Sequence, residues 1–337
     1  MVFMKIAIVK LSALGDIVHA MIVLQFIKNF NKEISIDWIV EERFKELLEF
    51  NPDIDNVHVV NLKNAKEKKS LTLFFKQLFN LHKLNRYDLV IDFQGLIKSG
   101  ILTKLIPSKL SIGFERSSLR EPVAALFYNK TFKISYSTNV IDRNIALIAF
   151  ALDININKKN ILNKQPFLHS SQDYVFNFFS KDLPNIILIL GASFLSKCYP
   201  IEKYAEITKL INANFIAVWG NEEEKQLAKN LVEMSPAVTI AYKLSLDSLI
   251  SVVQNANLVI GSDTGPTHLA WALNKPSITL FGPTPGYRNS CITNKNKVIE
   301  SNSQVNPNKI NKNDFSIKNI QVNDIVKIAS NLLDMSH

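Results

Sequence analysis

Apolar residues along this chain follow two rhythms. Short runs rich in β-branched residues, "KIAIV" (5–9), "ISIDWIV" (34–40), "NVHVVNL" (56–62) and "YDLVIDF" (87–93), have the length and composition of strands. Between them, "GDIVHAMIVLQFIKNF" (15–30), "EERFKELLEF" (41–50) and "LTLFFKQLFNLHKL" (71–84) repeat apolar residues at helical spacing. The Lys-rich "KNAKEKKS" (63–70) leads into the last of these, and "QGLIKSG" (94–100) turns away from the end of the fourth strand. This βαβα succession predicts a doubly wound parallel sheet of the α/β class. The polar, proline-bearing stretch 158–171 reads as a linker, and a second series follows it. Its strands are "NIILIL" (185–190), a continuous apolar run suited to a fully buried parallel strand, "NFIAVWG" (214–220), "LVIG" (258–261) and "SITLFG" (277–282). Its helices are 201–211, 222–233, 245–256 and 266–273. The stretch 283–313, rich in Pro, Asn, Ser and Lys, reads as loop, and 320–335 as a final helix. The expected architecture is two Rossmann-like domains facing a cleft, 1–165 and 166–315, with the segment 316–337 crossing back to the first.

Composition narrows the class. The chain has 337 residues, 47% hydrophobic and 20% charged, which is globular and enough for two domains. No apolar run reaches the roughly 18–20 residues of a membrane span. Lys5 and Lys10 interrupt the apolar start and no small-residue cleavage site follows, which reads as the buried first strand of a cytoplasmic protein. Cys198 and Cys291 form neither a disulfide framework nor a metal spacing. The formal charge of +9 is uneven: residues 1–165 hold 24 Lys+Arg against 16 Asp+Glu, and residues 166–337 hold 15 against 14. A basic first half suits an anionic partner, namely a phosphorylated substrate, a membrane surface or nucleic acid. A genome that favours Lys and Asn codons gives the same bias.

Candidate chemistry gathers at predicted strand ends. In "SDTGPTHLAWAL" (262–273), Thr264 and Gly265 lie where a helix begins, with Pro266 suited to its first position. Free N–H groups and the helix dipole bind phosphate there, His268 comes in the first turn, and Asp263 can orient a hydroxyl or His268. An ordinary helix start with a satisfied histidine has the same spacing. In "GASFLSKCYP" (191–200), small residues admit a ligand to the backbone and Lys197 can meet a phosphate, or stand as a loop lysine. In "VWGNEEEKQ" (218–226), the acids suit the helix dipole, and one of them can hold ribose hydroxyls. In "KLSALGDIVHA" (10–20), Asp16 is placed to start a helix or to do chemistry. "FERSSLREP" (114–122) adds Arg116, Arg120 and Glu121. Neither a dinucleotide fingerprint nor a P-loop is present, and neither a nucleophile elbow nor a metal-ligand cluster supports hydrolase or metal chemistry.

Together "KLSALGDIVHA", "DWIVEE", "DFQGLIKSG", "REPVAALFYNK", "SDTGPTHLAWAL" and "ITLFGPTPG" are similar in order and spacing to the bacterial lipopolysaccharide heptosyltransferases of glycosyltransferase family 9, and "REPVAALFYNK" and "DFQGLIKSG" to those that add the first heptose. The likeness runs from Lys5 to about Pro285. It implies a GT-B fold and inverting, metal-independent transfer of L-glycero-D-manno-heptose from ADP-heptose, a substrate, to the inner Kdo of Kdo-lipid A, with no other cofactor. By the same resemblance Asp16 is the base. Ala192, Ser193, Lys197, Asp263, Thr264, Gly265 and His268 meet the donor, Leu244 lies on the adenine side, and Glu224 or Glu222 holds the ribose. Lys10, Ser12, Gln94, Gly95, Lys98 and Arg120 meet the acceptor. "GASFLSK" has small residues where relatives carry threonines. The resemblance places the protein in the cytoplasm, peripheral on the inner membrane, with no nucleic-acid partner. The helix 71–84, following its lysines, either lies on an anionic membrane surface or packs inward. Another nucleotide-sugar enzyme of GT-B fold, including one adding the second heptose, is the nearest alternative. A basic protein binding membrane or nucleic acid leaves the phosphate loops without a purpose.

Overall fold

A run such as "NIILI" buries all its residues only if neighbouring strands lie parallel and helices cover both faces. A computed structural model of the chain describes residues 4–68 and 70–335, and it builds this arrangement twice. The chain divides after Phe167 into two compact units.

In the first unit the strands are β1 (Lys5–Val9), β2 (Ser35–Glu41), β3 (Asn56–Val60), β4 (Tyr87–Asp92), β5 (Ser108–Phe114) and β6 (Lys130–Phe132), in the order β3-β2-β1-β4-β5-β6. The second unit has β7 (Asn185–Ile189), β8 (Asn214–Val218), β9 (Val238–Ile240), β10 (Leu258–Ser262), β11 (Ser277–Phe281) and β12 (Asn296–Glu300), in the order β12-β11-β10-β7-β8-β9. Every ladder is parallel. Counted within each unit, both orders are the same doubly wound one, which reverses direction between its first and fourth strands. In open α/β sheets ligands bind at the carboxyl edge of that reversal. The final pairs of the two central ladders, Val9 with Asp92 and Gly261 with Ile189, mark that edge.

The cores follow from the strand runs. In the first unit Ala7, Val9, Ile39, Val90 and Leu102 pack together. In the second, Ile186, Leu188, Ile260, Ile278 and Leu280 meet Ile207, Phe215 and Leu231. Each fully buried Leu or Ile side chain contributes about 1.5–3 kcal/mol.

Several elements differ from the sequence reading. Strands β5, β6, β9 and β12 extend the two sheets, the last of them inside the stretch read as loop. β6 and β9 are three residues long, too short to carry a period, and β12 is an edge strand only partly buried. The expected helix at 41–50 is a 3-10 helix, Glu42–Leu47, and the helix at 15–30 is divided at Ile22. The linker contains a short helix, Lys158–Leu162. The last helix, Val322–Asp334, belongs to the second unit and was expected to cross to the first. Its apolar residues Ile325, Ala329, Leu332 and Leu333 are buried in the second core, beside the helix Ile201–Leu210. For the membrane reading of the helix at 71–84, Lys69 and the side chains of Lys66, Leu71, Phe74 and Phe75 lie outside what is described.

Candidate functional site

In the second unit the loops that follow β7 and β10 meet at the reversal of the sheet. β10 delivers Asp263 to its carboxyl edge, and the 3-10 helix Leu195–Lys197 after β7 delivers Lys197. Both side chains are buried, and Lys197 Nζ lies 2.9 Å from Asp263 Oδ2. The opposite oxygen, Oδ1, is 3.0 Å from His268 Nε2, which rises from the first turn of the helix Gly265–Ala272. Thr284 Oγ1 donates to Oδ2 at 2.7 Å, and Asn289 Nδ2 approaches it at 3.4 Å. Burial alone would raise the Asp263 carboxyl, but the Lys197 charge and the His268 hydrogen bond outweigh it and hold the group well below the usual carboxylate range. A charged carboxylate therefore fixes a lysine and a histidine beside a helix start.

That helix starts with Thr264 as its N-cap, which makes no side-chain capping bond, and with Pro266 in the first turn. Backbone N–H groups at such a start favour an anion. Thr267 turns away, its hydroxyl donating to Ser262 O at 2.8 Å. Ala192 is half-buried and Ser193 exposed in the loop after β7.

The glutamates at the end of β8 separate cleanly. Glu224 Oε2 accepts the Gly220 N–H at 2.6 Å, and a Cβ at Gly191 would land on the Glu224 carboxyl. Glu224 therefore lies against the loop after β7, beside Ala192. Glu222 points outward, 80% exposed and 3.7 Å from Lys225. Leu244, half-buried, follows Tyr242 and Lys243, which line a pocket of about 650 Å³ with Trp219. The Trp219 indole is held by Ala241 O at 2.8 Å.

In the first unit the loops after β1 and β4 are tied to each other. The Gln94 side-chain carbonyl accepts from the N–H groups of Leu11 and Ser12, each at 3.1 Å. Lys10 is buried, with Nζ donating to Phe93 O at 3.1 Å. Asp92 is fully buried: Oδ1 accepts the N–H of Gln94 at 2.7 Å and of Gly95 at 3.1 Å, and Oδ2 accepts the Tyr128 hydroxyl at 2.7 Å. Burial raises the Asp92 carboxyl, and the Ser99 hydroxyl together with these hydrogen bonds offsets only part of the rise. Gly95 has φ +68°, which suits glycine, and a Cβ there would meet Leu119 Cδ2 at 2.5 Å. The tie joins Lys10, Ser12, Gln94 and Gly95 in one frame, while Lys98 and Arg120 are exposed.

Asp16 stands on this frame, exposed, in the first turn of the helix Leu14–Met21. Its Oδ2 accepts the Ala13 N–H at 3.3 Å, so it performs the capping role the sequence allowed while its carboxylate remains open to solvent. Among the described residues, no three His, Cys, Asp or Glu side chains gather in a metal-binding group, and no helix is long and apolar enough to cross a membrane.

Sequence reasoning missed Thr284 and Asn289, which complete the shell of Asp263. The signal for Thr284 is "GPTPG" (282–286) after β11, the strand next to β10, where a hydroxyl is well placed to reach a neighbouring strand end; Asn289 lies beyond it, in the short helix Gly286–Asn289. It also missed Glu41, the last residue of β2, whose side chain is buried with the backbone N–H groups of Leu62 and Lys63 directed at it.

The family model of glycosyltransferase family 9 (heptosyltransferase) matches residues 76–318. Lipopolysaccharide heptosyltransferase 1 of Campylobacter coli is 39% identical over 98% of this chain and 99% of its own length. The protein of the same name from Pseudomonas aeruginosa is 30% identical over 84% of this chain and 80% of its own. Among solved structures, E. coli heptosyltransferase WaaC with ADP-2-deoxy-2-fluoro heptose has a TM-score of 0.77 at 25% identity, covering 97% of this chain and 99% of that one.

Proposed function

The chain belongs to glycosyltransferase family 9, and on that premise we propose that it transfers L-glycero-D-manno-heptose from ADP-heptose to the inner Kdo of Kdo-lipid A in lipopolysaccharide core biosynthesis. It is a glycosyltransferase with the GT-B type of fold. The observation that carries the reading is the Lys197–Asp263–His268 cluster at the start of the helix Gly265–Ala272, on the carboxyl edge where the second sheet reverses. Relatives named lipopolysaccharide heptosyltransferase 1 supply the sugar and the biosynthetic role.

The second unit holds the donor. Lys197 and the N–H groups after Thr264 meet the diphosphate, and His268 stands beside them. Asp263 keeps Lys197 and His268 in place. Glu224, lying against Gly191, holds the ribose hydroxyls, and the backbone near Leu244 receives the adenine. Ala192 and Ser193 let the diphosphate approach the loop after β7. The first unit holds the acceptor on its tied loops, with Lys98 and Arg120 meeting acidic groups of the lipid.

As the acceptor hydroxyl attacks the anomeric carbon, Asp16 takes its proton and the bond to the β-phosphate oxygen breaks. Attack from the face opposite ADP inverts the anomeric centre. Charge developing on the leaving diphosphate is met by Lys197 and the helix start, and the step as proposed calls on no metal ion or other cofactor. The acceptor lies in a membrane, and the enzyme works as a cytoplasmic protein peripheral on the inner membrane, with no nucleic-acid partner.

Product analysis with radiolabelled ADP-heptose tests this reading. Label should enter Kdo-lipid A, and should not enter an acceptor that already carries its first heptose. Label entering only the latter would show an enzyme of the second heptose, and label entering neither would remove the assignment.

A further inference from the structure

The segment "REPVAALFYNK" contributes to family membership, yet most of it has no part in the transfer just described. In the structure it forms the 3-10 helix Pro122–Phe127, packed along the helix Ile97–Leu105. The contact is close, since a Cβ at Gly100 would meet Phe127 Cδ2 at 2.8 Å and Ala124 O at 3.2 Å. Further ties hold the platform rigid: Glu121 Oε2 accepts the Ile97 N–H at 2.8 Å, and Tyr128 bonds Asp92. Outward from it stand Leu126, 78% exposed, Val123, 49%, and Ile97, 38%. Ile97 also lines a pocket of about 370 Å³ with Leu62, Leu96, Ile101 and Leu102, a mainly apolar hollow that Lys98 and Glu121 also border.

Exposed cations flank these side chains along the chain: Lys98 next to Ile97 on the helix, and Arg116 and Arg120 on the segment that leads into and contacts the 3-10 helix. Two carboxylates belong to the same segment, Glu115 bonded by the N–H and hydroxyl of Ser117 and Glu121 by the Ile97 N–H, and against three cations they leave the rim net basic. Apolar tips on a rigid platform with a cationic rim match the interface of an anionic bilayer, where apolar groups enter the acyl boundary and cations meet headgroups.

We propose that the face formed by Ile97, Val123 and Leu126, rimmed by Lys98, Arg116 and Arg120, docks the protein on the surface of an anionic lipid bilayer. The docking places the first unit at the surface that holds its acceptor, and in this it rests on the reading that the acceptor is a membrane lipid. It also moves the membrane contact away from the helix Leu71–His82.

Co-sedimentation of the full chain with vesicles tests the proposal. Wild type should pellet with phosphatidylglycerol–phosphatidylcholine vesicles and remain in solution with phosphatidylcholine alone. Leu126→Asp and, separately, Val123→Asp should lower the bound fraction roughly tenfold. Phe79→Asp, at a 56% exposed position of the helix Leu71–His82, should bind like wild type. Leu126 is mostly in solvent, so unchanged melting will show that the variant is folded. Transfer of heptose to a deacylated, water-soluble Kdo acceptor should be the same for Leu126→Asp and wild type. If wild type fails to transfer to that acceptor, the functional reading fails while vesicle binding is still measured. The docking proposal is overturned if wild type stays in solution with anionic vesicles or if Leu126→Asp pellets like wild type. It is equally overturned if Phe79→Asp alone releases the protein, or if Leu126→Asp changes only self-association in sedimentation velocity.

Discussion

At the scale of single residues, the Lys197–Asp263–His268 cluster of the second unit is held by one buried carboxylate. Removing Lys197 leaves Asp263 charged in a dry site, and breaking such a buried pair costs several kcal/mol. Lys197→Met should lower stability by about 3 kcal/mol, toward the small end because His268 and Thr284 still bond Asp263, as read by denaturant unfolding. It should also abolish transfer. The Asp263 carboxyl is held below its unfolded value, so its contribution is complete above the ordinary carboxylate range, about pH 4, and is lost only as pH falls through the lowered value. Glu41 has the opposite sign. Burial raises its carboxyl, and Lys98, the N–H groups of Lys63 and Leu62, and Arg43 offset only part of this, so the charged form burdens the fold. Glu41→Gln should therefore melt above wild type at pH 7, with the advantage fading as pH falls toward the unfolded carboxylate value of 4.5. Lys197, Asp263 and His268 were legible in the sequence because small residues, a cation and a helix start fell together at strand ends. Thr284 and Asn289 were not, because they reach Asp263 from 21 and 26 residues away. That Glu224 and not Glu222 lies against the loop after β7 was not legible either, since it depends on a contact with Gly191 across two strands.

Among elements, the strands with continuous apolar runs were readable and the short edge strands were not. A run such as β10 buries every residue, so its composition carries the signal, whereas β6 and β9 exist because a neighbouring strand supplies their hydrogen-bond partners. The last helix shows the limit of an amphipathic pattern: Ile325, Ala329 and Leu332 mark a buried face but do not say which core receives it. Glycines at strand ends give a sharper test. A Cβ at Gly191 would push on the movable end of Glu224, so Gly191→Ala should raise the KM for ADP-heptose several-fold with little change in Tm. A Cβ at Gly261 would meet Ile189 Cβ and Thr267 Oγ1 at 2.6 Å, inside the sheet where neither atom moves easily. Gly261→Ala should therefore lower Tm by several degrees, a loss of about 1–3 kcal/mol from overpacking. Calorimetry and steady-state kinetics on the two variants separate the cases, and equal melting losses would contradict the assignment of Glu224 as movable.

For the whole molecule, two sheets share one strand order, and the proposed function divides the work between them: the donor on the second unit, the base and the acceptor on the first. The basic surplus of the first half, 24 cations against 16 acids, suits that proposed division, in which the acceptor is an acidic lipid. A donor site confined to the second unit also predicts that ADP alone stabilises the chain, by about 2.7 kcal/mol at a hundredfold excess over its Kd. Asp16 is exposed and caps its helix only through a 3.3 Å bond, so replacing it should leave the fold intact. The most direct measurement is therefore Asp16→Asn beside wild type, with ADP-heptose and Kdo-lipid A, scored by the mass of the lipid product and by the melting shift with ADP. Wild type should add one heptose, and the variant should add none, or do so at least a thousandfold more slowly, about 4 kcal/mol in the barrier, while keeping the full ADP shift. Heptose transfer by Asp16→Asn at a rate near that of wild type would contradict the account.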